Sequence, residues 1–535
     1  MRLAIALLTL DLLVSSASWA GGQPPIVQVD EGALQGLEQE TAMAYLGIPY
    51  ARPPIGMDRW REPQAAVAWK GTRPADHFGF SCYQAPFKLP ASMGRLPFTH
   101  EYIDVGPISE DCLYLNVWTP KHLDAGALPV LVWIHGGGFG GGSGSIPIYN
   151  GASLAQRGIV VISINYRVDV FGFLAHPELT AESPRKVSGN YGLLDIVAAL
   201  RWVRKNIAAF GGDPNRVTVA GQSAGAAAVM ALIQMPQAQG LFSRAIAESG
   251  PVLPIAARDM RASESLGQEL ASRLGATHLA AMRALSAAEL LAAAHSGPPG
   301  PPRFQPSMDG QILRVDLGQP SAEKAVSDVP ILTGMNANEA GPRSTLGDFM
   351  GPPVPATTVN YVAKIKRDYG AIAPDVLRLY PAQKDSETVE AAQRLARDKG
   401  IAAIIHWGNV QMRYSHSPVY TYLFNHTEPG PFSASDGPFH TSEVPYVFGT
   451  LDAAPERGFS PVDRRISETM QRYWVNFINS GNPNGAGLND WPSFTPTDPK
   501  FMVLDSSFRA QTLMDDAKMS LFDDFLRQGG ALSVL

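Results

Sequence analysis

The segment Val217-Thr-Val-Ala220 runs directly into Gly221-Gln222-Ser223-Ala224-Gly225, and the chain continues in helix-favouring residues from Ala224 to Ile233. The short β-branched run is that of a strand buried on both faces. The alanine-rich run after it is helical. Glycine on either side of Ser223 lets strand and helix approach closely through a tight turn, which leaves the serine oxygen clear of the sheet. A G-x-S-x-G string arises by chance about 0.3 times in a chain this rich in glycine, so the setting between strand and helix carries the argument. A serine that only caps a helix does not require both glycines.

Working outward, further short apolar runs have the same character: Leu131 to Ile134, Ile159 to Ile164, Ile331 to Thr333, Val419 to Phe424 and Phe501 to Leu504. Between them, Leu193 to Phe210 carries apolar residues at helical spacing and stops at Gly211-Gly212. Alternating strands and helices predict an α/β fold with a mainly parallel sheet covered by helices. Ala256 to His295 reads as an insertion of two polar-faced helices, followed by a stiff Ser296-Gly-Pro-Pro-Gly-Pro-Pro302 segment. Core strands continue beyond it, so it interrupts the sheet's sequence without ending the domain.

Composition bounds the partners. The 535 residues are 45% hydrophobic and 17% charged, enough for a large packed core and against a disordered chain. Lys+Arg 43 against Asp+Glu 49 gives −6, with no basic run suited to nucleic acid. Arg2, the apolar stretch Leu3 to Val14 and Ser18-Trp19-Ala20 have the form of a signal peptide cleaved after Ala20. Residues 1–20 are therefore expected to be a leader and 21–535 a single domain, exported to the periplasm or the medium. No later stretch predicts a membrane span, and nothing in the pattern specifies an oligomer. Cys82 and Cys112, the only cysteines, lie in the exported part. They are free to pair in an oxidising compartment, two free buried thiols being the alternative.

A nucleophilic serine needs backbone N–H donors for the oxyanion it creates. Gly136-Gly137-Gly138, leaving the strand that ends at Ile134, is the candidate. The letters Gly136, Gly138 and Gly141 also fit a dinucleotide fingerprint, but no helical pattern starts there, and the next strand runs into Asn165 and Tyr166 where a ribose-binding acid belongs. The order serine, acid, histidine leaves six of the eleven histidines, and His440 alone sits in a turn-rich loop, Ser435 to His440, beyond a core strand. Glu339 stands just past the strand Ile331 to Thr333 and is the preferred acid. Asp436, four residues before His440, is the competitor and is expected to be a solvated loop charge.

These segments, with Tyr45 to Pro54, Ser109 to Asn116, Asn165-Tyr-Arg167, Gly189 to Asp195, Phe210 to Pro214, Gly334 to Glu339, His440 to Gly449 and Trp491-Pro492, resemble the type-B carboxylesterases, the cholinesterase-like branch of the α/β hydrolases. The resemblance covers almost the whole chain and is closest to bacterial secreted carboxylesterases. It implies an α/β-hydrolase fold with long insertions and a serine esterase with Ser223 as nucleophile, Glu339 as acid and His440 as base. It also implies an oxyanion hole of Gly137, Gly138 and Ala224, a Cys82–Cys112 bridge, a small-molecule ester substrate, and no metal or cofactor. Some similar proteins have lost the serine and act as adhesion modules, but here each catalytic position is filled. Within enzymes, a lipase or a specialised esterase for a multiply esterified natural product or xenobiotic is the alternative. Two departures weaken a choline-ester substrate. Gln222 stands where glutamate is common, and the Cys82 to Cys112 loop has no tryptophan to face a quaternary ammonium. That loop is expected to lie away from the strand ends carrying Ser223, Glu339 and His440.

Overall fold

The structure is a computed structural model that describes residues 25–86, 98–122, 127–253, 258–296, 303–314, 327–339, 354–431 and 433–534. The expected leader, 1–20, and most of the Gly-Pro segment, 297–302, lie outside these residues. The main sheet has eleven strands among the described residues. In chain order they are β1 Leu37–Glu38, β2 Ala42–Pro49, β3 Tyr114–Pro120, β4 Leu128–Ile134, β5 Val160–Ile164 and β6 Gly212–Gln222. Then come β7 Arg244–Glu248, β8 Ile331–Asn336, β9 Val419–Phe424, β10 Lys500–Leu504 and β11 Arg509–Thr512. Their spatial order is β11-β10-β9-β8-β7-β6-β4-β5-β3-β2-β1.

From β5 to β10 every pairing is parallel. These strands read as continuous apolar runs because helices cover both faces. β3, β2 and β1 on one margin, and β11 on the other, pair antiparallel. This is the α/β-hydrolase architecture that the resemblance implied. α1 Tyr191–Asn206 and α2 Ala224–Gln234 pack on one face through Leu193, Ile196, Leu200, Ala226 and Leu232. Further along the chain, α6 Thr388–Tyr414 also joins this core. α7 Val444–Phe448 and α8 Pro461–Ser480 close the other face through Phe448, Ile466, Met470 and Trp474.

The insertion holds three helices where two were expected: α3 Met260–Arg273, α4 Leu279–Ala284 and α5 Ala287–Ala294. Two caps divide it. The His278 ring accepts from the Ala281 amide, and Ser286 with Glu289 forms a capping box.

Register aligns the carboxyl ends. Gly221 lies opposite Ile134, Gln222 opposite Glu248, Glu248 opposite Gly334, and Gly334 opposite Tyr422. The loops after β4, β6, β7 and β8 therefore leave from one edge of the sheet, where ligands of open α/β sheets bind.

Candidate active site

Ser223 sits between β6 and α2 at φ 58°, ψ −128°. A non-glycine residue there is strained and must be held by its surroundings. Its N–H donates to the Glu248 carbonyl at 3.0 Å, and its carbonyl accepts from the Ala227 N–H at 3.0 Å. The flanking glycines are required by contact. A Cβ at Gly225 would stand 2.0 Å from the Ile134 carbonyl oxygen, and one at Gly221 would stand 2.5 Å from the Gly225 carbonyl carbon.

The loop after β4 closes over this turn. A Cβ at Gly136 would meet Ser223 Cβ at 3.0 Å, so only glycine lets the loop lie on the serine. Gly140 and Gly141 both donate to the Gly137 carbonyl, and Gly137 and Gly138 have φ of 107° and 64°. His135 stacks on Tyr166 with centroids 4.4 Å apart, and burial pulls its pKa down to about 4. In that neutral ring Nδ1–H donates to the Gly136 carbonyl at 2.8 Å. The N–H groups of Gly137, Gly138 and Ala224 have no protein acceptor among the described residues. No helix begins at these glycines, as expected.

The structure brings Glu339 and His440 together. An isolated parallel bridge pairs Asn338 with Phe439, so the loop before His440 runs beside the end of β8. Nδ1 of His440 donates to Glu339 Oε2. Glu339 Oε1 accepts from Ser249 Oγ at 2.5 Å and from the Asn336 N–H at 2.7 Å, which fixes the carboxylate from the other side. Burial alone would lower the His440 pKa, but the charge and hydrogen bond of Glu339 outweigh it, and the pKa is raised. The Gln222 amide nitrogen lies against the same ring, 3.2 Å from Nε2 and 3.5 Å from Nδ1. Ser223 follows β6 and Glu339 follows β8 at the same edge of the sheet, and the Asn338–Phe439 bridge brings His440 there.

Two sequence expectations need correction, and one strand was not foreseen. Asp436 is buried, not solvated, because the short helix Ser433–Asp436 folds inward and its carbonyl accepts from Asn338 Nδ2 at 2.6 Å. The Cys82–Cys112 bridge is formed, but its loop does not keep clear of the site. Gln84 donates to the Gly142 carbonyl at 2.9 Å and accepts from its N–H at 2.7 Å, and Tyr102 packs edge-on to Phe439 at 5.8 Å. The unforeseen strand is β7. Its Ala-alternating sequence ends on the buried Glu248, and a second buried carboxylate that the sequence reading missed, Glu443, lies three residues after His440. Trp474 Nε1 donates to Glu248 at 2.9 Å and Asn336 Nδ2 to Glu443 at 2.6 Å. The later histidines are engaged elsewhere. His426 pairs with Asp463, His406 with Asp523, and His278 caps α4.

An edge-of-sheet serine in a strained turn beneath a glycine loop, with a histidine–carboxylate pair beside it, is suited to acyl transfer. Residues 23–522 match the family model described as the carboxylesterase family. The chain belongs to this family. It is 37% identical over 487 residues to "Fumonisin B1 esterase" of Sphingopyxis macrogoltabida, covering 88% of this chain and 85% of that protein. It is 34% identical over 495 residues to "Para-nitrobenzyl esterase" of Bacillus subtilis (strain 168), covering 90% and 95%. A solved structure of "PNB esterase" superposes with a TM-score of 0.76 at 32% identity, covering 93% of this chain and 99% of that one. This carboxylesterase is accordingly a serine esterase, a hydrolase of carboxylic esters. Among its described residues no helix is long and apolar enough to cross a membrane.

Proposed function

We propose that Ser223, His440 and Glu339 form the catalytic triad and that hydrolysis passes through an acyl-enzyme. His440, oriented by Glu339, takes the Ser223 proton at Nε2 as Oγ attacks the ester carbonyl. The N–H groups of Gly137, Gly138 and Ala224 receive the oxyanion. Imidazolium then returns the proton to the leaving alcohol, and the same nitrogen activates the water that releases the acid. The observation carrying this reading is the His440–Glu339 contact on the edge that also bears Ser223. Ser223→Ala should leave a folded protein with kcat/KM for p-nitrophenyl acetate lower by several orders of magnitude. Turnover near the parent's would overturn the mechanism.

A specialised esterase for one natural product or xenobiotic is the second reading, supported by the 37% identity to a protein named for fumonisin B1. Hydrolysis of fumonisin B1 and of p-nitrophenyl esters of rising acyl length, run side by side, decides between it and a general carboxylesterase. Export through residues 1–20 belongs to the same proposal.

A further inference from the structure

The short helix His100–Ile103 lies in the loop closed by the Cys82–Cys112 bridge, and the turn Pro455–Arg457 comes alongside it. His100 Nδ1 is 3.3 Å from Glu456 Oε1 and 3.5 Å from Glu101 Oε2. The three ligand atoms all lie within 4.8 Å of one another. Glu101 is 2% exposed, and its Oε1 is held by Arg457 Nε at 2.6 Å and Thr99 Oγ1 at 2.5 Å. Oε2 is buried, accepts no hydrogen bond among the described residues, and faces His100.

A single closed hydrogen bond does not account for this spacing. A charge-assisted hydrogen bond to one carboxylate closes to about 2.7–2.9 Å, whereas a proton shared between two acceptors, or a cation between them, leaves longer and nearly equal distances. Here two carboxylate oxygens stand off the same nitrogen at longer, nearly equal distances. A tetrahedral cation holding nitrogen and oxygen at about 2.1 Å separates adjacent ligand atoms by about 3.4 Å, which matches both. Imidazole with carboxylates is a donor set suited to zinc-like ions. We infer that His100, Glu101 and Glu456 bind a divalent transition cation of the zinc type, with water in the fourth position. The cation would balance the two carboxylates and clamp the disulfide loop to the 455–457 turn. Arg457 and Thr99, which orient Glu101, would be its outer supports. His100 and Glu456, at 58% and 55% side-chain exposure, leave an entry path. The clamp would stiffen a wall of the site rather than join the chemistry, since Arg457 also lies over the rings of Tyr102 and Phe439, at 5.3 and 5.9 Å, and Phe439 adjoins His440.

The test is calorimetric titration of the chelator-treated full-length protein with ZnCl2, and separately with MgCl2, with melting curves in each. One zinc per chain, a Tm raised by zinc and unmoved by magnesium, and affinity at least roughly tenfold weaker in both His100→Ala and Glu456→Gln are expected. Metal-free hydrolysis of p-nitrophenyl acetate by these surface variants should equal the parent's, which reports an intact fold. No zinc binding, or parental affinity in either variant, would overturn the assignment. In the latter case zinc sits elsewhere, at His440 for example.

Discussion

Gln222→Glu places a carboxylate where a neutral amide now lies 3.2 Å from Nε2 of His440. The ring is mostly buried, with 12% of its side chain exposed. Two unit charges about 4 Å apart interact by roughly 1 kcal/mol in water and roughly 4 kcal/mol at the effective dielectric of a protein margin. At 1.36 kcal/mol for each pH unit, this favours imidazolium by about one to three pH units. Under the proposed mechanism His440 must be neutral at Nε2 to take the serine proton, and its pKa already lies above the usual value. A further rise moves the acid limb of the kcat/KM profile to higher pH, so the variant loses most at pH 6 and recovers on the alkaline side. The pH profile with p-nitrophenyl acetate measures the shift. The variant should also gain on acetylcholine relative to a neutral acetyl ester, while the parent prefers the neutral member. That preference is expected of the parent because Arg457 already covers the Tyr102 ring at 5.3 Å and Tyr83 is turned onto Phe171 at 5.5 Å, which leaves neither ring free for a quaternary ammonium. An acid limb displaced by less than about half a pH unit would refute the reasoning that the uncharged amide sets the His440 charge.

Glu339→Gln should lower kcat by about 10³–10⁴-fold because the ring loses its orienting partner, whereas Asp436→Asn should cost less than roughly tenfold. Equal losses would transfer the acid's role to Asp436. Denatured, unreduced protein should titrate no free thiol, and reduction should lower stability by roughly 3–4 kcal/mol for a 30-residue separation. Because Gln84 holds Gly142, reduction should also lower kcat, and an unchanged kcat would show that this tether is dispensable. Protein recovered from the producing cells' exterior or periplasm should begin at Gly21, as terminal sequencing would establish.

The sequence is legible where one local rule governs. The elbow could be read because strand, glycine, serine and helix follow within one stretch, and because contacts of 2.0 to 3.0 Å leave no room for a Cβ at Gly225, Gly221 or Gly136. β9 appears with the predicted limits, Val419–Phe424, since its unbroken β-branched and aromatic run has no helical alternative. β7 escaped because Arg-Ala-Ile-Ala-Glu has low strand propensity and ends on an acid. Parallel neighbours on both sides override that preference. Asp436 was misjudged for a related reason. A charge among turn residues is usually solvated, but the bridge between Asn338 and Phe439 draws its segment inward. The proximity of Gln84 to Gly142 joins residues 58 apart and has no local signature.

The missed acids bear on which carboxylate near His440 is charged. Glu339 has three donors: Ser249 Oγ, the Asn336 N–H and His440 Nδ1. Glu248 has one donor and an unpartnered Oε2 among the described residues, and Glu443 likewise has one donor and an unpartnered Oε1. A buried carboxylate keeps its charge in proportion to the donors and cations that replace water. Burial raises the pKa of Glu248. Burial, reinforced by Glu248 and Glu339, raises that of Glu443 well above the ordinary range. Burial thus disfavours the charged form of both under-supplied acids, whereas Glu339 is the carboxylate best supplied with donors. Glu339 is also the carboxylate in hydrogen-bond contact with His440, so in the proposed mechanism the imidazolium is stabilised chiefly through Nδ1, with the charge of Glu443 acting from further off in the same direction.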